Sequence, residues 1–525
     1  MADWTGVTSH TYDGDNRPLS VSYPTRKTLA YGYDAVGNRT SLVDPDGGTT
    51  VYGYDAANNL TGIVDPYGDR TSIVYDALNR EAARTMANGI VTTHTFDAAG
   101  NETVRASSVA VYTATYDAVG NRLSVAEIES PSTGSGSSSS LVTYTYDSSY
   151  QLLTEQRTGP TPVNVSYSYD GLGNRMTKSD PMGLTSYAYN AANALTGSVA
   201  ADGASTTNAY DANGNLILEN ANGTLTTFTW DGENRQTSRT DSTGGQTSTY
   251  DATGMRVKLV TPTATTQYVR DGQNVLAECD QAGATVARYV DSPGVWGGLT
   301  SVRRQGVSAY YSFDMSANTR QLTDSTGAVL AAYLYDAFGV ELSAASPSTG
   351  IALVPGMSPG FGGLFVPTGG SIAIVNPLRF GGQYGYWRDA ANVMYVRARW
   401  LDATAGRWVS RDPIGFRSMD WDLYRYVRNN SVIRTDPSGT GEGSNACTVM
   451  IAVCAVVATV CKTSMPTWQE KLACAAAALA CYEAMCDCNP SSCPPPKPQP
   501  PGPGRPCGPH SDPPYWPPGR PRPIP

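Results

Sequence analysis

Along most of the chain, apolar and polar residues alternate in short runs, and each run ends at a cluster of Asp, Asn, Gly or Pro. Alternation with period two marks half-buried β-strands, and such clusters are turn chemistry. One stretch shows the unit. In Tyr31-Gly32-Tyr33-Asp34-Ala35-Val36-Gly37-Asn38-Arg39 the tyrosines stand two apart and share a strand face, while Asp34 and Gly37 supply a turn. Arg39-Thr40-Ser41-Leu42-Val43 is a second strand, closed by Asp44-Pro45-Asp46-Gly47-Gly48, where Pro and Gly suit successive turn positions. The unit is a β-hairpin. It returns about every 21 residues, a period that signals a repeat architecture, with anchors at Tyr12-Asp13, Tyr33-Asp34, Tyr54-Asp55, Tyr75-Asp76, Phe96-Asp97 and Tyr116-Asp117, then from Tyr146-Asp147 to Tyr250-Asp251. A lone hairpin is unstable in water, but stacked hairpins bury a continuous tyrosine-lined face. Residues 8–340 are therefore predicted to be successive antiparallel hairpins without a long helix.

Breaks in this pattern divide the chain. Repeats occupy 1–260, interrupted by a Ser/Gly-rich loop at 130–140, and 261–343 is a transition. Residues 344–370, rich in Gly, Pro and Ser, read as an insertion loop before a core segment at 371–440. At 441–488 the period becomes helical. The apolar stretch 446–462 is interrupted by Ser464-Met465-Pro466, and Thr467-Trp468-Gln469-Glu470 has the form of a capping box opening a second helix. Cys447, Cys454 and Cys461 are seven apart, as are Cys474, Cys481 and Cys488, so each trio lines one helix face. Neighbours across an antiparallel hairpin have position numbers of constant sum, and Cys447 with Cys488, Cys454 with Cys481 and Cys461 with Cys474 satisfy that rule. The Ala-rich second helix lets the axes approach, so three disulfides are expected, with a reduced hairpin as the alternative. Residues 489–525 are proline-rich and read as an extended, disordered tail.

Composition narrows the function. A formal charge of -9 offers no basic footprint for phosphates, so nucleic acid is not expected as a partner. Histidines occur only at His10, His94 and His510, too scattered for a Ser/His triad or a His-based metal site. The glycines at 360–363 lack the strand, helix and Lys of a phosphate loop, and Cys481, Cys486, Cys488 and Cys493 fit no common zinc spacing. No cofactor and no metal are expected. Residues 1–14 lack the cationic and apolar regions of a signal peptide, which reads as the end of a longer polypeptide. Nine of the ten cysteines follow residue 440, which suits a tail bound for an oxidising compartment.

Units such as YGYDAVGNRTSLVDPDGG resemble the YD repeats of bacterial Rhs proteins, toxin-complex C components and the teneurins, over residues 8–439. The segments at 310–339, 376–416 (NPLRFGGQYGYWRDAANVMYVRARWLDATAGRWVSRDPIGF) and 423–439 (LYRYVRNNSVIRTDPSG) resemble the Rhs-associated core. The resemblance implies a mainly β fold, a spiralling antiparallel sheet of hairpin repeats that forms a hollow shell. The core segment would curl inward as a plug, and a variable C-terminal segment, often a toxin or effector, would be held within.

Two Asp-Pro-x-Gly elements stand close together, Asp412-Pro413-Ile414-Gly415, preceded by Arg411, and Asp436-Pro437-Ser438-Gly439. On spacing alone both are ordinary Asx-Pro turns. The resemblance implies an aspartic autoprotease acting only on its own chain, with Asp412 and Asp436 as the dyad, Arg411 as the orienting group and the cut between Gly439 and Thr440. Two carboxylates sharing a proton acquire split pKa values, so one activates water while the other protonates the leaving group. The chain departs from the family pattern at Ser431, where Pro is usual, and at Thr440, where Leu is usual. The expected protein is a secreted or envelope-associated shell that encloses or presents its own C-terminal segment as cargo, with a cognate immunity protein as a further partner. Two alternatives stay open: a wall-associated adhesin binding cell-surface carbohydrate through exposed tyrosines, with the tail as spacer, and a membrane-inserting toxin tail.

Overall fold

The computed structural model describes residues 2–3, 5–129, 138–294, 296, 298–345 and 375–441. From Ser9–Tyr12 to Glu341–Ala345 every strand pairs antiparallel with the next in sequence, in one continuous ladder. No α-helix occurs among the described residues, only three short 3-10 turns. The expected loop at 130–140 is shorter than predicted, because the strand Ser138–Tyr146 begins inside it and pairs Ser138 with Glu129. Likewise the strand Glu341–Ala345 runs two residues into the expected insertion loop. The cysteine-rich helical hairpin, its three disulfides and the proline-rich tail fall on residues outside those described.

The Tyr-Asp turn is built by the aspartate. Asp34 Oδ1 accepts the amides of Val36 and Asn38 at 3.1 and 2.8 Å, and Oδ2 accepts the Asn38 side chain at 2.9 Å. Gly37 closes this turn at φ 98°, a region a β-carbon disfavours. The tyrosine works between repeats. The ladder joining Arg39–Val43 to Thr49–Tyr54 pairs only Ser41 to Val43, so the Arg39 carbonyl lies beyond its end. Tyr54 Oη donates to that carbonyl at 2.9 Å. The same bond recurs one repeat earlier and later, from Tyr33 to Pro18 at 3.0 Å and from Tyr75 to Leu60 at 2.9 Å. Adjacent hairpins thus splay at the Tyr-Asp end, and a phenol fills each wedge and satisfies the carbonyl exposed there. Trp230 substitutes its indole N–H, donating to the Leu216 carbonyl at 2.7 Å.

The strip meets itself across a seam of side chains. Tyr31 Oη and Arg39 Nη1 reach the two oxygens of Asp271 at 3.1 and 2.6 Å. Further along, Arg288 pairs with Asp46 at 2.8 Å, Tyr310 donates to Asp69 at 2.6 Å, and Asn88 donates to Thr323 at 2.9 Å. Side chains make these contacts, whereas the backbone ladder runs on as an open spiral. The sequence separation across the seam falls from 247 residues at Tyr23 and Arg270 to 182 at Glu155 and Ala337. At about 4.8 Å per strand the perimeter therefore shrinks from about 110 Å to about 80 Å.

Residues 375–441 fill the narrow circuit. Strands Trp387–Ala390, Val393–Val396, Arg399–Asp402 and Arg407–Trp408 form a small antiparallel sheet. Its indoles pack edge-on against shell aromatics, Trp400 on Trp230 and Tyr250, Trp387 on Tyr268 and Tyr289. Polar groups then stitch the segment to the Tyr-Asp rim: Asn430 to the Tyr150 carbonyl at 3.0 Å, Asn429 to Gly173 at 2.7 Å, Arg407 to Asn193 at 2.8 Å and Tyr424 to Gly214 at 2.7 Å. One buried apolar cluster joins this plug to strands from Leu152 to Tyr335.

Candidate active site

The plug brings both Asp-Pro-x-Gly elements to one arginine. Arg399 opens the strand Arg399–Asp402, and its Nη2 lies 3.1 Å from Asp412 Oδ2 and 3.0 Å from Asp436 Oδ2. All three side chains are buried. Arg399 Nη1 donates to the Leu423 carbonyl at 3.3 Å, and Nε donates to the carbonyl oxygen of Gly439. One guanidinium therefore holds the two acids and polarises the carbonyl of the Gly439–Thr440 peptide.

The other side of that peptide faces Asp436. Its Oδ1 accepts the Ser438 hydroxyl at 2.9 Å, the Gly439 amide at 2.9 Å and the Thr440 amide at 3.2 Å. The Asp436 amide donates to Tyr386 Oη at 2.8 Å, which anchors the start of the turn. Gly439 sits at φ 72°, and a β-carbon there would run into the Val396 carbonyl and the amides of Ala398 and Arg399. Only glycine lets the turn lie this close to the sheet.

Burial raises the proton affinity of both acids. Burial pushes Asp412 up to about 6 against the pull of Arg399, with the Asp436 charge adding to the rise. Burial also raises Asp436, opposed by Arg399 and by backbone amides including Thr440. The same burial lowers Arg399, while both aspartates support its charge. Two acids raised together beside a fixed cation can act as base and acid in turn.

Of the residues expected from sequence, Asp412, Asp436, Gly439 and Thr440 come together. Arg411 goes elsewhere: it lies against Tyr424 Oη and Gly214, and no ion pair joins it to either aspartate among the described residues. Arg399 holds the orienting position that Arg411 was expected to take. Its signal in the sequence is faint, an arginine inside the strand pattern RARWLD, separated from Asp412 by an intervening strand and turn. Ser431 is buried, and its hydroxyl has no hydrogen-bond partner among the described residues. Among the described residues no group of His, Cys, Asp and Glu is arranged to hold a metal ion, and no helix is long and apolar enough to cross a membrane.

The repeats themselves fix the family. A family model described as RHS Repeat matches residues 12–49, 33–70 and 210–247. The chain is a YD/Rhs repeat protein. The tRNA3(Ser)-specific nuclease WapA of Bacillus spizizenii is 29% identical to this Rhs chain over 288 residues, which is 52% of the chain and 11% of that protein. Toxin subunit YenC1 of Yersinia entomophaga is 42% identical over 64 residues, 11% of the chain and 6% of the subunit. The Rhs chain thus spans about a tenth or less of the length of these toxin-related relatives. The crystal structure of TcdB2-TccC3-Cdc42 superposes with a TM-score of 0.55 at 17% identity, covering 82% of this chain and 23% of that one, and shows a shared fold.

Proposed function

We propose that this chain is a toxin-associated Rhs shell segment that cuts itself between Gly439 and Thr440 and so releases the C-terminal segment it carries. The observation that carries the reading is the clamp of Arg399 on Asp412, Asp436 and the Gly439 carbonyl. Ionised Asp412 takes a proton from a water whose oxygen attacks the Gly439 carbonyl carbon. Arg399 Nε stabilises the oxygen as it gains charge. Protonated Asp436, whose Oδ1 accepts the Thr440 N–H at 3.2 Å before attack, gives its proton to that nitrogen once the tetrahedral adduct has made it pyramidal and the C–N bond breaks. The products are a carboxyl group at Gly439 and a free amine at Thr440. That the relatives are named as a nuclease and a toxin subunit supports an effector role for the released segment, with a cognate immunity protein as its partner in the producing cell.

What favours the shell reading over a carbohydrate-binding adhesin is that Tyr33, Tyr54 and Tyr75 donate their hydroxyls to backbone carbonyls between repeats. Intact mass of the purified full chain tests the proposal. Wild type should give two masses that divide at Gly439–Thr440, and Asp412→Asn or Asp436→Asn should give one. A single full-length mass from the wild type after prolonged incubation would overturn it.

A further inference from the structure

Beside the dyad the plug shows an apolar surface that no other described residue covers. Asp412 leads into the 3-10 turn Gly415–Ser418, which ends at Met419 with φ 57°. This tight turn turns its large side chains outward: Phe416 is 64% exposed, Met419 84% and Trp421 79%, with Ile414 at 40%. The Phe416 and Trp421 rings lie 5.9 Å apart. These are neighbours on one turn, unlike the single apolar residues scattered over the hairpin turns, and an exposed aromatic cluster of this kind marks a contact surface.

The chain itself supplies an occupant. A β-carbon placed on Gly441, the last described residue, would lie 4.0 Å from Ile414 Cδ1, so the chain leaves the plug at the edge of the patch. Four polar or small residues follow, Glu442-Gly443-Ser444-Asn445, and then the stretch 446–462, in which only Thr448, Thr459 and Lys462 are not apolar. Five Cα steps reach about 17 Å, enough to lay the start of that stretch on the patch. A tether this short holds the stretch at millimolar effective concentration, against which a second copy in dilute solution competes poorly.

We infer that the surface of Ile414, Phe416, Met419 and Trp421 is the docking site for the apolar stretch 446–462 of the same chain. A cut between Gly439 and Thr440 removes the tether, so afterwards the contact rests on its own affinity. It would hold the two products together after the cut and make release a separate step from cleavage. The inference uses the self-cleavage reading only in its second readout.

A photoactivatable benzophenone amino acid in place of Met419, in the full chain, tests it. Cross-links should form within one chain, to peptides of 446–462. Adding Phe416→Ser and Trp421→Ser should lower their yield at least about tenfold, since burial of two aromatic rings is lost. Cross-links between two chains, or to other segments only, would overturn the inference. In a preparation that has cut itself, the fragment beginning at Thr440 should co-elute with the shell on size exclusion and separate in the double variant. If the wild type never cuts, the cleavage reading falls, and the cross-link still decides the docking.

Discussion

Arg399 pairs with both aspartates and donates to the Gly439 carbonyl, so in the proposed self-cleavage it steadies the acids and the developing oxyanion together. Replacing it with Met keeps an unbranched stem but removes the charge and every donor. Self-cleavage of Arg399→Met should be slower by about 100-fold or more, the usual loss when a donor to the developing oxyanion goes, as read by the rise of the Thr440 fragment over time. The dyad also sets a pH limit. Asp412, lifted to about 6, takes up a proton as pH falls below that value and stops acting as base, so cleavage should decline from pH 7 to pH 5. The stability effect has the opposite sense. The folded pKa lies above the unfolded one, so Asp412 adds stability below about pH 4, and this is lost as pH rises through about 6. Asp412→Asn should therefore gain on the wild type in urea unfolding between pH 4 and pH 8, by up to about 3 kcal/mol. A gain at the acidic end instead would show that the Arg399 pairing outweighs burial. Ser431 gives a simpler case: its hydroxyl is buried without a partner, and Ser431→Ala should raise stability by about 1 kcal/mol in the same assay.

Between elements, the unit of cohesion is the bond from one repeat's tyrosine to the carbonyl stranded in the repeat before. Tyr54→Phe leaves the Arg39 carbonyl unpaired in a half-buried wedge and should cost about 1 to 2 kcal/mol. The chain carries the reverse experiment already. Phe96 stands where a tyrosine would donate to the Glu81 carbonyl, and it packs instead under Arg80, 4.3 Å from its ring centre. Phe96→Tyr should stabilise the wild type by about 1 kcal/mol, seen as a higher urea midpoint. The hairpins were legible in the sequence because everything that builds them is local: Asp34, Gly37 and Asn38 make one turn among themselves. The helical stretches read at 446–488 fall outside the described residues, and the structure does not judge them. Arg399 was not legible as a partner of Asp412, since adjacency in sequence pointed to Arg411, and only the fold of the four-stranded plug reverses that order.

At the scale of the whole molecule, curvature was the part no repeat could announce, because it is fixed by pairs such as Arg39 and Asp271, 232 residues apart. Asp271→Asn should loosen this seam and leave every ladder intact. Amide exchange in the strands Thr28–Tyr33 and Thr265–Asp271 should quicken at least about tenfold, with little change in the strands around Leu216. Equal acceleration everywhere would mean that the seam and the ladders melt as one unit. The taper of the spiral has a further consequence, one of capacity. A perimeter of about 80 Å gives a bore of about 25 Å between facing backbones, less the side chains that line it. A compact passenger as long as residues 442–525 would measure about 30 Å across. The bore is moreover already occupied by the plug, whose tryptophans pack against the wall. In the narrow circuit, then, a passenger of that size has no room beside the plug. Brief treatment with proteinase K should strip the sequence beyond Gly441 at the same rate whether or not the seam has been loosened by Asp271→Asn.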